Sequence, residues 1–184
     1  MNDQDWLDIL APKDKWNEKH LMSLFSLTGI PESLLDVGCG TGAMVNIARK
    51  LGVAAYGVDL IKRPQNHFFQ HDLTEPFVLG EKRQVQMVIS LEVGEHIPQE
   101  YHDTYLDTIT NHMGTNSMLI FSAAHPGQGG DFHEAELPAE YWRKKLHDRG
   151  VSFQDYASAR LCLLWSNIKS PLYWLAANCQ YYTK

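Results

Sequence analysis

Hydrophobic residues fall along this chain in two rhythms. Trp16, Leu21, Leu24, Phe25 and Leu27 are spaced through residues 14–28 as on one face of an amphipathic helix, and Gly29 with Pro31 ends it. Short apolar runs then take over. Leu34–Val37 predicts a first strand, which leads through Gly38-Cys-Gly-Thr-Gly42 into a helical run, AMVNIARKL, closed by Gly52. Val53–Val58 predicts a second buried strand ending at Asp59, completing a β-α-β unit of the kind that builds parallel sheets. The alternation continues with Phe68-Phe69 as a third strand, Gln86–Ser90 as a fourth, a helix over Gln99–Met113 and Ser117–Ser122 as a fifth strand. After the loop AAHPGQGGDFHEAELP come a helix over Ala139–Arg149, Val151–Phe153, a helical segment, a break at Pro171 and a terminal strand near Cys179–Tyr182. One doubly wound α/β domain accounts for this pattern. The loop is long enough to serve function rather than connection.

Composition narrows the picture. Hydrophobic residues make up 44% of the 184-residue chain and charged residues 21%, ordinary values for one globular core. No run reaches the roughly 20 apolar residues of a membrane span, and the start, Met1-Asn-Asp-Gln-Asp5, is not a basic signal sequence. A cytoplasmic protein is expected. Cys39, Cys162 and Cys179 lie far apart without a C-x-x-C pair, which argues against a disulfide framework or a zinc ribbon. With 16 Lys and Arg against 22 Asp and Glu, the net charge of −6 disfavours nucleic acid as a partner. The basic group Arg143, Lys144, Lys145 and Arg149 is read as the solvated face of a helix. No mark of an oligomeric state is found.

A strand feeding a helix through closely spaced glycines brings backbone N–H groups against a ligand without Cβ interference. Gly38, Gly40 and Ala43 also fit the loose dinucleotide fingerprint, with Asp59 near the distance for a ribose contact, so that motif by itself does not discriminate. The wider set of residues does. LLDVGCGTG, residues 34–42, resembles the first motif of class I S-adenosylmethionine-dependent methyltransferases; Asp59 in YGVDL, Asp72 in HDL and VISLEVGEHIP at residues 88–98 match that family's later motifs in order.

The resemblance implies a single Rossmann-like domain over residues 1–184, with a mostly parallel seven-stranded sheet, helices on both faces and an antiparallel C-terminal strand. It further implies an N-terminal helical cap over 1–31 and an acceptor-side loop over 123–138. S-adenosylmethionine is the implied cofactor. Gly38 and Gly40 would admit its methionine moiety, with Asp36 orienting water or the amino group. Asp59 would take the ribose hydroxyls, Asp72 and the Leu73 N–H the adenine, and Leu60 and Leu91 its faces. Cys39 and Glu92 complete the expected set.

Glu92, Glu95 and His96 follow the fourth strand on the rim where acceptors enter such enzymes. With His133 they resemble the Glu, Glu, His, His arrangement of metal-dependent small-RNA 2′-O-methyltransferases, and E-x-x-E-H resembles ubiquinone-pathway O-methyltransferases. Such a cluster would bind a divalent ion, the two imidazoles favouring a transition metal. Metal-free members share the spacing, with Glu95 and His96 bonded to neighbouring loops, and the metal-free reading is preferred. His133 is the expected general base and His125 the alternative, both on the long loop. Trp16, Lys19 and His20 are candidates to cover the cofactor, as first-helix residues do in similar enzymes, with Trp16 read as core before cover. Trp165, Tyr173, Trp174, Tyr181 and Tyr182 are expected to pack as an aromatic cluster.

The expected activity is methyl transfer to a hydroxyl or amino group of a small-molecule acceptor, a metabolite or sugar. Competing readings are a metal-dependent RNA 2′-O-methyltransferase, a catalytically silent cofactor-binding subunit and a nicotinamide-dependent dehydrogenase. The last would normally need a separate substrate domain.

Overall fold

Alternation within the strands sorts side chains to two faces of a sheet. Along β1 (Ser33–Val37), Leu34 joins one core while Leu35 and Val37 join the other. The structure, a computed structural model, describes residues 3–80 and 84–184. α1 (Asp3–Leu10) runs through a 3-10 turn at Ala11–Lys13 into α2 (Asp14–Thr28), which ends at Gly29 with φ 79°. α3 (Ala43–Lys50), β2 (Ala54–Asp59), β3 (Phe68–Gln70) and β4 (Val85–Leu91) follow. α4 (His102–Asn111), β5 (Met113–Ser122), α5 (Ala139–His147), β6 (Ser152–Phe153), α6 (Asp155–Ser166), α7 (Tyr173–Asn178) and β7 (Gln180–Thr183) complete the order.

The seven strands lie in the order β3-β2-β1-β4-β5-β7-β6, and β7 alone runs against its neighbours. Strand order reverses between β1 and β4. The carboxyl ends of those two strands therefore diverge into a crevice, the usual ligand position in such sheets. On one face Tyr105 and Leu106 of α4 and Trp142 and Leu146 of α5 are buried; on the other are Leu24 of α2, Val45 of α3, Trp165 of α6 and Leu175 of α7. Ser90 of β4 donates to the Val37 carbonyl at 2.8 Å, so the Tyr105 hydroxyl, 2.6 Å away, donates to Ser90 and ties α4 beneath the crevice.

Several details depart from the sequence expectation. The helix expected from Gln99 begins at His102, after a 3-10 turn that follows Pro98, and β5 starts at Met113 rather than Ser117. Asn116 at φ 66° marks the irregularity that periodicity misses. The cysteines thought remote are not all so: α6 packs beside the end of α7, leaving the free thiols of Cys162 and Cys179 3.3 Å apart. The aromatic cluster divides. Trp165 and Tyr182 are buried on opposite faces, while Tyr173 is 75% exposed. The basic residues in and just after α5 are largely consumed by pairing: Lys145 and Arg149 reach Asp103 of α4, and Arg149 also reaches Asp107. Trp16 and His20 pack near Trp165, as core. Among the described residues no helix is long and apolar enough to cross a membrane.

Candidate active site

The bend from β1 into α3 is built on left-handed backbone: Gly38, Gly40 and Gly42 have φ of 78°, 51° and 77°. A Cβ at Gly38 would overlap the Val93 side chain, and one at Gly42 would lie 2.5 Å from Phe68 Cζ. Asp59, ending β2, fixes this bend. Its Oδ2 accepts the Gly40 N–H at 2.8 Å and its Oδ1 the Ile61 N–H at 2.9 Å. The N-terminal segment closes over the bend, with Thr41 Oγ1 donating to Asp14 Oδ1 at 2.6 Å.

A cleft of about 680 Å³ opens above these residues. That size suits a small-molecule ligand. Asp36, Gly38, Cys39, Gly40, Asp59, Leu60, Asp72, Leu73, Leu91 and Glu92, all anticipated from sequence, line it together. Asp36 is 5% exposed, and burial, reinforced by the nearby Asp59 charge, pushes its carboxyl up to about 7. Burial pushes the Cys39 thiol up as well, aided by Asp36 and Asp59. Asp72 is exposed and caps the turn after β3, its Oδ1 accepting the Thr74 N–H and hydroxyl at 2.9 and 2.8 Å.

The opposite wall rises from the end of β4. Glu92 holds a left-handed φ of 54°, an uncommon conformation for a residue with a side chain. Its carboxylate accepts from Asn178 at 3.2 Å and Gln128 at 3.1 Å. The 3-10 turn Gly94–His96 comes next, and Gly94 lies against Trp142, which a Cβ would meet at 2.7 Å. Glu95 is 1% exposed, and neither carboxyl oxygen has a hydrogen-bond partner among the described residues. Burial first, then the Glu92 charge and to a lesser extent Glu136, push it up to about 8; the nearby backbone N–H groups of Glu95 and Ala124 oppose this only in part. The Glu95 carbonyl accepts the N–H groups of Glu134 and Ala135, fastening the long loop to the turn.

Two imidazoles complete this wall. His96 Nδ1 lies 3.1 Å from the Phe132 carbonyl, which requires the proton on Nδ1. Burial lowers the His96 pKa. The His133 ring sits edge-on, 5.1 Å away, and its Nδ1 lies 2.7 Å from Glu136 Oε1. Glu136 also accepts the N–H groups of Gly127 and Gly129, each at 2.7 Å, and the His133 bond first among these holds its carboxyl below the usual range. A carboxylate thus orients an imidazole and leaves its Nε2 lone pair toward Gly130 and the cleft, a pairing suited to a general base. The sequence reading missed Glu136, although His133-x-x-Glu136 carries the signal. It also missed Asp14, Lys13, Gln128, Phe132 and Trp174 as lining residues.

One ligand atom each from Glu95, His96 and His133 lie within 4.8 Å of one another, close enough to hold a metal ion. Glu92, placed with them from sequence, stands outside this group, its carboxylate turned to Asn178 and Gln128. His125 does not line the cleft. It lines a separate cavity of about 200 Å³ together with Cys162 and Cys179.

A family model described as a methyltransferase domain matches residues 8–164. The chain belongs to the methyltransferase-domain family. Its strand order and glycine bend are those of a class I, S-adenosylmethionine-dependent methyltransferase. Among solved structures, it is similar to a 1,6-didemethyltoxoflavin N1-methyltransferase of Burkholderia thailandensis, at TM-score 0.67 and 15% identity over 99% of this chain and 86% of that one. Magnesium protoporphyrin IX methyltransferase of Synechocystis aligns at TM-score 0.62 and 19% identity, over 93% and 83% of the two chains. A sugar N-methyltransferase of a Streptoalloteichus species aligns at 0.58 and 18%, over 79% and 81%. No curated protein matches this methyltransferase by sequence. At these identities the structural likenesses establish the shared fold.

Proposed function

We propose that this methyltransferase moves a methyl group from S-adenosylmethionine to a hydroxyl or amino group of a small-molecule acceptor. The observation that carries this reading is one cleft with two differently equipped ends: the Asp59-clasped glycine bend, and the Glu136–His133 pair with the unpartnered Glu95. The residues at the first end fit the donor. Asp59, at the end of β2, would take the two vicinal ribose hydroxyls, Gly38 and Gly40 leave room for the methionine portion, and Asp36 would face its amino group. Leu60 and Leu91 sandwich the adenine, with Asp72 and the Leu73 N–H at its edge. The bound donor supplies an activated methyl on a sulfonium that leaves as a neutral thioether.

Within this reading the chain's own residues position and deprotonate. Holding the acceptor in line contributes on the order of 7–11 kcal/mol, and a general base adds about 10²- to 10⁴-fold. His133, oriented by Glu136, takes the acceptor proton at Nε2, while Glu95 and His96 shape the pocket around it. The known names of structural neighbours, acting on toxoflavin precursors, sugars and a porphyrin, support a small acceptor over RNA. A cytoplasmic setting is consistent with this.

The test is incubation of the enzyme and trideuteromethyl-labelled donor with metabolite extracts, read by mass spectrometry. A labelled product supports the reading. Donor binding without transfer to any acceptor favours the silent subunit, and tighter binding of a nicotinamide dinucleotide overturns the donor assignment. A second reading is favoured by the clustering of Glu95, His96 and His133: these three would hold a divalent ion, which would lower the acceptor's pKa. Full activity in strong chelator excludes it.

A further inference from the structure

We propose that the acceptor is an amine that arrives as a cation and is received by the buried Glu95 carboxyl, an inference that rests on the methyl-donor reading above. The acceptor end is lined by Glu92, Glu95, Asp131 and Glu134. Lys13 is the one Lys or Arg among the described lining residues, and its ammonium lies over the Trp174 ring, 5.8 Å from its centroid. Phosphorylated or carboxylated acceptors are ordinarily gripped by Arg or Lys. Here they would meet like charge instead, which discriminates against them.

The second observation is Glu95 itself. A buried carboxyl whose two oxygens lack hydrogen bonds is costly, and a ligand that brings donors removes that cost. An ammonium group brings three donors and a positive charge that favours the ionised form of Glu95 over the protonated one, whereas a hydroxyl brings one donor and no charge. Phe132, 55% exposed with φ 62°, and Tyr173, 75% exposed, line the same cleft. Their ring faces suit both a cation and the apolar body that carries it. In the reaction the ammonium loses one proton to His133 Nε2, and the freed nitrogen lone pair forms the new bond to the methyl carbon. The carbon–sulfur bond breaks with its electron pair remaining on sulfur, and the methylated nitrogen keeps the positive charge.

Binding of matched probes tests this directly. Benzylamine, benzyl alcohol and benzyl phosphate are titrated by calorimetry or ligand-observed NMR into chelator-treated protein saturated with S-adenosylhomocysteine. Benzylamine should bind at least about tenfold more tightly than the alcohol, and the phosphate least of all. Glu95→Gln should bring amine and alcohol within about threefold of each other while S-adenosylhomocysteine affinity stays within about twofold. Asp131→Asn combined with Glu134→Gln, at the exposed rim, should weaken the amine only about two- to threefold. Absent amine binding, phosphate binding as tight as amine binding, or an amine preference that survives Glu95→Gln overturns the proposal. Failure of S-adenosylhomocysteine itself to bind would overturn the underlying donor reading instead.

Discussion

Replacing Glu95 by Gln should stabilise the protein, and by more as the pH rises. The Glu95 carboxyl, ordinarily near 4.5, is pushed up to about 8, chiefly by burial. Between those two values the unfolded chain has lost a proton that the folded chain keeps, so stability falls as pH climbs through this window. The accumulated penalty is under ~1 kcal/mol at pH 5 and roughly 5 kcal/mol at pH 9. Gln has nearly the same shape and carries no charge at either pH. Any fixed cost of seating an amide there cancels in the comparison, so the stabilisation should grow by roughly 4 kcal/mol from pH 5 to pH 9. For a chain of 184 residues, that corresponds to about 8–16 °C in midpoint. Urea unfolding of both proteins at the two pH values measures it. A Gln effect independent of pH would mean that Glu95 is ionised and satisfied when folded, refuting the argument from its unpartnered oxygens. That a protein keeps so costly a side chain fits a site where stability is traded for function.

Gly38→Ala should cost about 1–2 kcal/mol for left-handed backbone and a further 1–3 kcal/mol for overlap with Val93. Val93→Ala should recover the second part in a double-mutant cycle, and strict additivity would show that the contact is unimportant. Glu136→Gln should lower the methyl-transfer rate about 10²-fold, leaving S-adenosylhomocysteine affinity within about twofold. His133→Ala should match it, and the double variant should be no slower than either; additive losses would show that the two do not act as one unit.

The parts of this molecule that the sequence reveals are those governed by local physics. The β1 bend was legible because three glycines follow a short apolar run, and Asp59 because a carboxylate ends the next one. The same local rules identify the end of α2 at Gly29, whereas the antiparallel direction of the last strand came from the family resemblance alone. What stayed hidden depends on contacts between distant segments. The capping of the cleft by Asp14 through Thr41 spans 27 positions, and the Glu92–Asn178 bond spans 86. His125 and His133 look equivalent on one loop, yet only the second turns back to the cleft, because Glu136 gathers Gly127, Gly129 and His133 around one carboxylate. The thiols of Cys162 and Cys179 meet only because α6 packs beside α7. Helical and strand periodicity cannot report such meetings.

Calorimetric titration of the wild type and Asp59→Ala with S-adenosylhomocysteine addresses the donor site most directly. Two ribose hydroxyls bonded to a charged carboxylate contribute about 1.5–3 kcal/mol each, so the variant should lose at least about 100-fold in affinity while remaining folded. Affinity within about threefold of the wild type, or a wild type that takes a nicotinamide dinucleotide more tightly, would contradict the assignment of Asp59 and the glycine bend to the methyl donor.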